Sequence, residues 1–248
     1  MSVAVRLDKL LGNLGYGSRR EVAELVRAGR VMLDGARVAA ADRKLQLADD
    51  LPERLMVEGV ALDPLPGMVL MMHKPLGLTC SHDEAGRLVY DLLPPRWRRR
   101  QPPLSTVGRL DKETSGLLLL TDDGPLLHRI ISPKNHAPRH YRATLAEPLR
   151  PDAAGILASG TLRLSGDGKP LQPADLEVLS PVEVSVTLVE GRYHQVRRMF
   201  AALGNHVVAL HRDRMGALSL PDDLAPGGYR FLAPAEVAAA QAVAAASA

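Results

Sequence analysis

The sequence predicts an α+β protein in two parts, and three observations carry that expectation. Two short amphipathic helices and a hairpin fill the first forty residues. A Pro- and Gly-rich segment, Leu62-Asp63-Pro64-Leu65-Pro66-Gly67, then reads as a linker. Beyond it, apolar runs and alternating strands are mixed with short helices. We expect a domain at residues 1–60, a linker at 61–67 and a second domain at 68–248.

Leu7, Leu10, Leu11 and Leu14 fall at i, i+3, i+4 and i+7, the stripe of an amphipathic helix that Gly15 ends. Ser18 and Glu21 form a candidate capping box for a second helix, with Val22, Leu25 and Val26 inward and Gly29 as its stop. Val31-Met32-Leu33, Asp34-Gly35 and Ala36-Arg37-Val38 then form a hairpin signal, since Gly tolerates the positive φ of a type I′ turn. Residues 1–44 hold nine basic and five acidic side chains, a net of +4. Arg19, Arg20, Arg27 and Arg30 cluster near the second helix and the strand after it, a basic surface suited to phosphates or an ordinary solvated face.

Met68-Val69-Leu70-Met71-Met72 reads as a buried strand stopped by His73-Lys74-Pro75-Leu76-Gly77, with His73 a strand-end histidine. Arg96-Trp97-Arg98-Arg99-Arg100 suits either a phosphate surface with a stacking ring or a solvated loop. Gly108-Arg109-Leu110-Asp111 feeds the strand Leu117-Leu118-Leu119-Leu120, which places Asp111 at the edge of an apolar core. There a carboxylate can act as nucleophile or base, if a cation keeps it ionised, or serve only as a turn former. Asp122-Asp123-Gly124-Pro125 prepares a short helix bearing Leu126, Ile130 and Ile131, with an Asp as its cap.

His136 and His140 have a metal-binding spacing, but Pro138 between them and the lack of a third ligand argue against a metal. Tyr141, Ala143 and Leu145 alternate with Arg142 and Thr144, a half-buried strand with Tyr141 inward. Ile156 and Leu157 suggest a short helix, and Val182, Val184, Val186 and Leu188 a clear strand. Val196, Met199, Phe200 and Leu203 form the inner stripe of a helix closed by Gly204. Arg197 lies beside that stripe, and a partly buried guanidinium there needs a carboxylate, for which Asp111 is the candidate. The Ala-rich tail after Pro234 fits a closing helix.

Four stretches resemble motifs of RNA pseudouridine synthases: Gly-Arg-Leu-Asp at 108–111 with Thr-Ser-Gly-Leu-Leu-Leu-Leu-Thr-Asp-Asp-Gly, Lys74-Pro75-x-Gly77, Arg139-x-Tyr141, and Gly191-Arg192-x-His194-Gln195-Val196-Arg197. Arg139 stands where the family usually has Lys; His73 and Leu78 stand where Asn and an aromatic are commoner. The helix, Gly-x-Ser turn, helix and Gly-Arg-Val hairpin of residues 3–50 resemble the S4 RNA-binding module. From Arg6 to about Leu232 the chain is similar to the RsuA-type, small-subunit branch of the family.

This resemblance implies an S4-like domain followed by a catalytic domain with a mainly antiparallel mixed sheet flanked by helices. It implies isomerisation of a specific uridine of 16S rRNA, uridine 516, to pseudouridine, on free rRNA or a small-subunit assembly intermediate. In that reading Asp111 is the essential carboxylate, Tyr141 lies against the flipped base, and Arg197 pairs with Asp111. Arg19, Arg20, Arg27, Arg30, Lys74, Arg109, Arg139 and Arg192 meet RNA, and Arg109 fills or holds the opened stack. Cofactor and metal are not expected. Three alternatives remain beside it: a pseudouridine synthase acting on 23S rRNA, a non-catalytic ribosome assembly factor that binds RNA, and a hydrolase of nucleobase glycosidic bonds using Asp111 and a second carboxylate such as Glu113.

Met1 to Arg6 show no basic segment leading into an apolar one, and no run reaches membrane-spanning length, so a soluble protein is expected. With Cys80 its only cysteine the chain can form no internal disulfide, which fits a reducing cytoplasm. We expect a cytoplasmic monomer.

Overall fold

The computed structural model describes residues 4–132 and 137–242; His136 and the extreme ends lie outside that range. The chain divides into two compact units. The first takes in Met1–Val69, Leu93–Ser105 and Thr121–Gly124; the second takes in Leu70–Leu92, Thr106–Leu120 and Pro125–Ala248. No helix among the described residues is long and apolar enough to cross a membrane.

The first unit begins β1 (Ala4–Arg6), α1 (Leu7–Asn13), α2 (Arg19–Arg27), β2 (Val31–Leu33), β3 (Ala36–Arg37), β4 (Lys44–Gln46), α3 (Leu51–Arg54), β5 (Leu55–Val57) and β6 (Val60–Ala61). Leu7, Leu10, Leu11 and Leu14 are buried, so the leucine stripe of α1 is its core face. At Ser18 the capping box forms in both directions: its N–H donates to Glu21 Oε2 at 2.6 Å, and the Glu21 N–H donates to Ser18 Oγ at 3.3 Å. Asp34 and Gly35 both have positive φ, 53° and 78°, as the type I′ hairpin of β2 and β3 requires. Glu58 and Gly59 make a second such turn between β5 and β6.

Of the basic run at 96–100, Trp97 and Arg100 are buried in this unit and Arg96 partly so, while Arg98 and Arg99 are exposed. Residues Pro95–Arg99 form a 3₁₀ turn, Trp97 is buried, and Arg96 forks onto Asp63 at 2.5 Å. Arg100 pairs with Asp122 at 2.7 Å, with both side chains 1% exposed, and also donates to the Pro64 carbonyl. The stacking ring and two of the four arginines are therefore not available to an RNA chain. Asp122 likewise does not cap the next helix: its other oxygen accepts from the Gly67 N–H at 2.8 Å.

The second unit is built on a mixed sheet flanked by helices. Its elements are β7 (Val69–Lys74), β8 (Ser105–Thr106), β9 (Ser115–Thr121), α4 (Gly124–Ile131), β10 (Arg139–Leu145), α5 (Ala153–Ala158), β11 (Asp175–Val178), β12 (Glu183–Leu188), α6 (Gln195–Ala202), β13 (Val207–Met215), β14 (Leu218–Ser219), β15 (Tyr229–Phe231) and α7 (Pro234–Gln241). The sheet order is β11-β12-β10-β13-β9-β7-β15. β10 pairs antiparallel with β12 and β13, β11 with β12, and β15 with β7, whereas β13 and β9 run parallel. Val184, Val186 and Leu188 of β12 pack with Val196, Met199, Phe200 and Leu203 of the α6 stripe. In α4, Leu126 and Ile130 are buried, but Ile131 is 37% exposed and is no core residue.

Gly116 is what lets β9 lie against β13. Its φ is 113°, and a Cβ there would sit 2.2 Å from the Arg212 carbonyl oxygen.

Breaking a buried pair leaves an uncompensated charge, so Asp122→Ala should destabilise the protein by about 3–5 kcal/mol. The check is the urea unfolding midpoint; a variant as stable as the parent would show that Arg100 finds another partner.

Candidate active site

The loop 108–114 is carried to its place by two strands and held there by one buried cation. β9 leaves the loop at Ser115, and β7 delivers Lys74, which is fully buried, beneath it. Its Nζ donates to the carbonyls of Thr114 at 2.8 Å, Pro75 at 3.0 Å, Asp111 at 3.1 Å and Lys112 at 3.4 Å. Burial lowers the Lys74 pKa, and the nearby acidic groups act against that. Gly77 N–H adds a bond to the Lys112 carbonyl at 2.9 Å. Lys74 was expected to meet RNA; it is instead the clasp of the loop, because an ammonium with no exposed surface cannot reach a phosphate.

Asp111 opens onto a cleft of about 960 Å³ that Arg109, Tyr141, Arg139 and Arg192 also line. Its side chain is 31% exposed, and His194 Nε2 lies 3.4 Å from its Oδ1. His194 caps α6 in the left-handed region, φ 49° and ψ 36°, a conformation costly for a non-glycine residue, and its ring stacks on Tyr193 at 3.9 Å. That strain turns the imidazole toward the Asp111 loop.

The expected pairing of Arg197 with Asp111 is not found. Arg197 donates to the Glu113 carbonyl at 2.7 Å and the Val207 carbonyl at 2.8 Å, so it ties the loop backbone to the start of β13. The position of α6 puts its guanidinium at the loop's main chain and not at the carboxylate. Glu113, the second carboxylate of the hydrolase reading, is exposed and does not line the cleft.

The other basic residues divide by what already holds them. Arg109, 63% exposed, pairs loosely with Glu84 at 3.0 Å and remains at the surface. Arg192 is engaged within the fold, by Asp167, Glu190 and the carbonyls of Lys169 and Pro170, which leaves little of it for RNA. Arg139 is half-buried with no hydrogen-bond or ion-pair partner among the described residues. Arg19, Arg20, Arg27 and Arg30 are exposed on the first unit, Arg20 in a long 3.4 Å contact with Glu24 and Arg30 paired with Glu58. Among the described residues there is no group of three or more His, Cys, Asp or Glu able to hold a metal. His140 instead bonds Thr187 Oγ1 at 2.8 Å.

Sequence reasoning missed two cleft residues. His194 sat within a motif already singled out, and its tie to Asp111 could have been suspected there. Arg212, 1% exposed, lines the same cleft with its Cζ 6.0 Å from the Tyr141 ring centroid. Nothing in its local spacing separates it from the exposed Arg214 two residues on.

Comparison with known proteins gives two family matches: RNA pseudouridylate synthase over residues 68–202 and S4 domain over residues 5–51. The chain is 42% identical over 239 residues to the ribosomal small subunit pseudouridine synthase A of Escherichia coli (strain K12), covering 94% of this chain and 99% of that protein. It is equally 42% identical over 238 residues to YtzG of Bacillus subtilis (strain 168), described as an uncharacterized RNA pseudouridine synthase, covering 94% and 97%. A crystal structure of a pseudouridylate synthase superposes with a TM-score of 0.66 at 37% identity, covering 95% of this chain and 99% of that one.

Lys74→Met should cost at least about 1–3 kcal/mol, the penalty for leaving buried acceptors without a donor. RNA affinity should keep its salt dependence, whereas loss of a phosphate contact would reduce the log-log slope by roughly 0.7–0.9. Thermal melting and binding at several salt concentrations read the two effects; a flatter slope with unchanged melting would return Lys74 to the RNA surface.

Proposed function

The chain belongs to the RNA pseudouridylate synthase family, and from that premise we propose that it converts one uridine of small-subunit rRNA to pseudouridine with Asp111 as the essential carboxylate. The observation that carries this reading is the cleft itself: a loop clasped from below holds one part-exposed carboxylate facing the same space as Tyr141. The similarity to small-subunit enzymes over nearly the whole chain supports the substrate class. By the resemblance of its motifs the target is uridine 516 of 16S rRNA.

The reaction breaks the C1′–N1 bond, turns the uracil and joins C5 to C1′, so no atom is gained or lost. A base within a duplex is out of reach, and flipping it costs a few kcal/mol of unstacking. Arg109, exposed at the cleft edge and weakly held by Glu84, is free to enter the opened stack. Tyr141 covers the uracil, and Asp111 acts at the ribose. His194 beside Asp111 and Arg197 on the Glu113 carbonyl aim the loop; Arg197 is thus a positioning residue. The first unit, whose S4 match spans residues 5–51, adds phosphate contacts through Arg19, Arg20, Arg27 and Arg30. We take residues 1–60 as this RNA-binding domain and 68–248 as the catalytic one, the protein working as a cytoplasmic monomer on rRNA or an assembly intermediate.

Isomerisation leaves mass unchanged, so the test is carbodiimide labelling and primer extension on small-subunit rRNA from a deletion strain. Complementation with the wild-type protein should restore one stop that deletion removes, and Asp111→Asn should not restore it while binding RNA normally. Restoration by the Asn variant would end the assignment of Asp111, and an unaltered small-subunit pattern with a lost large-subunit stop would move the substrate to 23S rRNA.

A further inference from the structure

The geometry points to a cationic floor in the cleft: Arg212, with Arg139 beside it, receives the uracil as an anion when it parts from the ribose. This deepens the isomerisation proposed above and rests on it. Arg212 sits on β13 directly across from Tyr141 on β10, and its Cζ lies 6.0 Å from the Tyr141 ring centroid. It is 1% exposed, its Nε donates to the Leu117 carbonyl at 2.9 Å, and its Nη2 is buried with no partner. Arg139 lies two residues before Tyr141 and lines the same cleft. Burial weakens the hold of its guanidinium on its proton, and the charge of Arg212 adds to that.

Among the described residues neither arginine has a carboxylate, although the other cleft arginines do, Arg109 with Glu84 and Arg192 with Asp167 and Glu190. Two desolvated like charges without a counter-ion are unfavourable, so the site is complementary to a ligand that brings negative charge. An RNA backbone phosphate is one source of that charge, but the backbone stays at the mouth of a cleft, and Arg212, which unlike Lys74 lines the cleft yet is only 1% exposed, is left to the inserted base. Uracil enters neutral. When the C1′–N1 bond breaks heterolytically, the electron pair stays with the ring, and the charge spreads over N1, O2 and O4. The electron-poor C1′ is met by Asp111, which bonds to it or takes the C2′ proton. C5 then joins C1′, and an Asp111 carboxylate bonded there leaves with its electron pair as that bond forms; the proton that C5 loses balances the one N1 gains, and a proton taken from C2′ is returned there. The arginine pair is thus matched to the charge of the bond-breaking state more than to the substrate, which is the condition for lowering a barrier.

Two measurements on the full-length protein test this. The first compares 5-nitrouracil, an anion at pH 8, with neutral uracil by calorimetry. Wild type should prefer the anion roughly tenfold or more, Arg212→Gln should lose the preference, and Arg212→Lys should keep part of it. Equal binding of the two ligands to wild type, or a preference that survives in both Arg212→Gln and Arg139→Gln, would overturn the proposal. The second compares single-turnover pseudouridine formation with RNA Kd. Arg212→Gln should slow the reaction by about 100-fold at nearly constant Kd, the scale for losing one preorganised donor. A parallel loss of affinity would assign the pair to a phosphate instead, and an unchanged rate would also refute it. Should Arg212→Gln fail to melt cooperatively, Arg212→Lys and the less buried Arg139→Gln carry both measurements. Anion preference in a wild-type protein that forms no pseudouridine would sink the proposed function while leaving the subsite standing.

Discussion

Everything chemical in this protein depends on a buried ammonium with no carboxylate on it. Lys74 is fully buried and distributes its charge over four main-chain carbonyls, three of them in the loop that carries Asp111. A charge in a dry interior is costly unless its hydrogen-bonding capacity is filled. Here the condition for Lys74 to be tolerated is that the loop adopt one conformation. The same condition fixes the Asp111 main chain and leaves its side chain to face the cleft.

Three further constraints converge on that loop. Gly116 allows β9 to approach β13 so closely that no side chain fits between its Cα and Arg212. Arg197 ties the Glu113 carbonyl to that of Val207, joining the loop to the first residue of β13. His194 takes up a left-handed backbone at the start of α6, and its ring reaches Asp111. Strain of that kind persists only where the surroundings over-determine it. The stacked Tyr193 ring and the buried stripe of α6 supply those surroundings.

The fold also sorts identical residues by their partners. Arg192 and Arg100 are engaged by carboxylates and carbonyls of the protein itself. Arg109 is loosely held, while Arg139 and Arg212 have no acidic partner among the described residues. Count and net charge, 31 basic against 28 acidic residues, carry none of this distinction. It arises from which carboxylate each strand register brings within reach.

The sequence by itself determined what is local. The α1 leucines, the Ser18–Glu21 box, the Asp34-Gly35 turn and the α6 stripe were legible because helix and strand periods and turn sterics act over a few residues. The Glu58-Gly59 turn was not read, because Glu at positive φ is unusual and its hairpin has strands of only two and three residues. Motif wording located Asp111 and Tyr141 but not the partners of the basic residues. Tertiary structure alone decided that Lys74 is a clasp, that Arg197 holds a carbonyl, that Arg96 and Arg100 are interior ion pairs, and that Arg212 lies in the cleft. Each of those outcomes joins residues some 22 to 95 positions apart. A long cationic side chain has the same helix and strand propensity whether its tip meets water, a carboxylate or a carbonyl, so only the packing of the sheet could assign it.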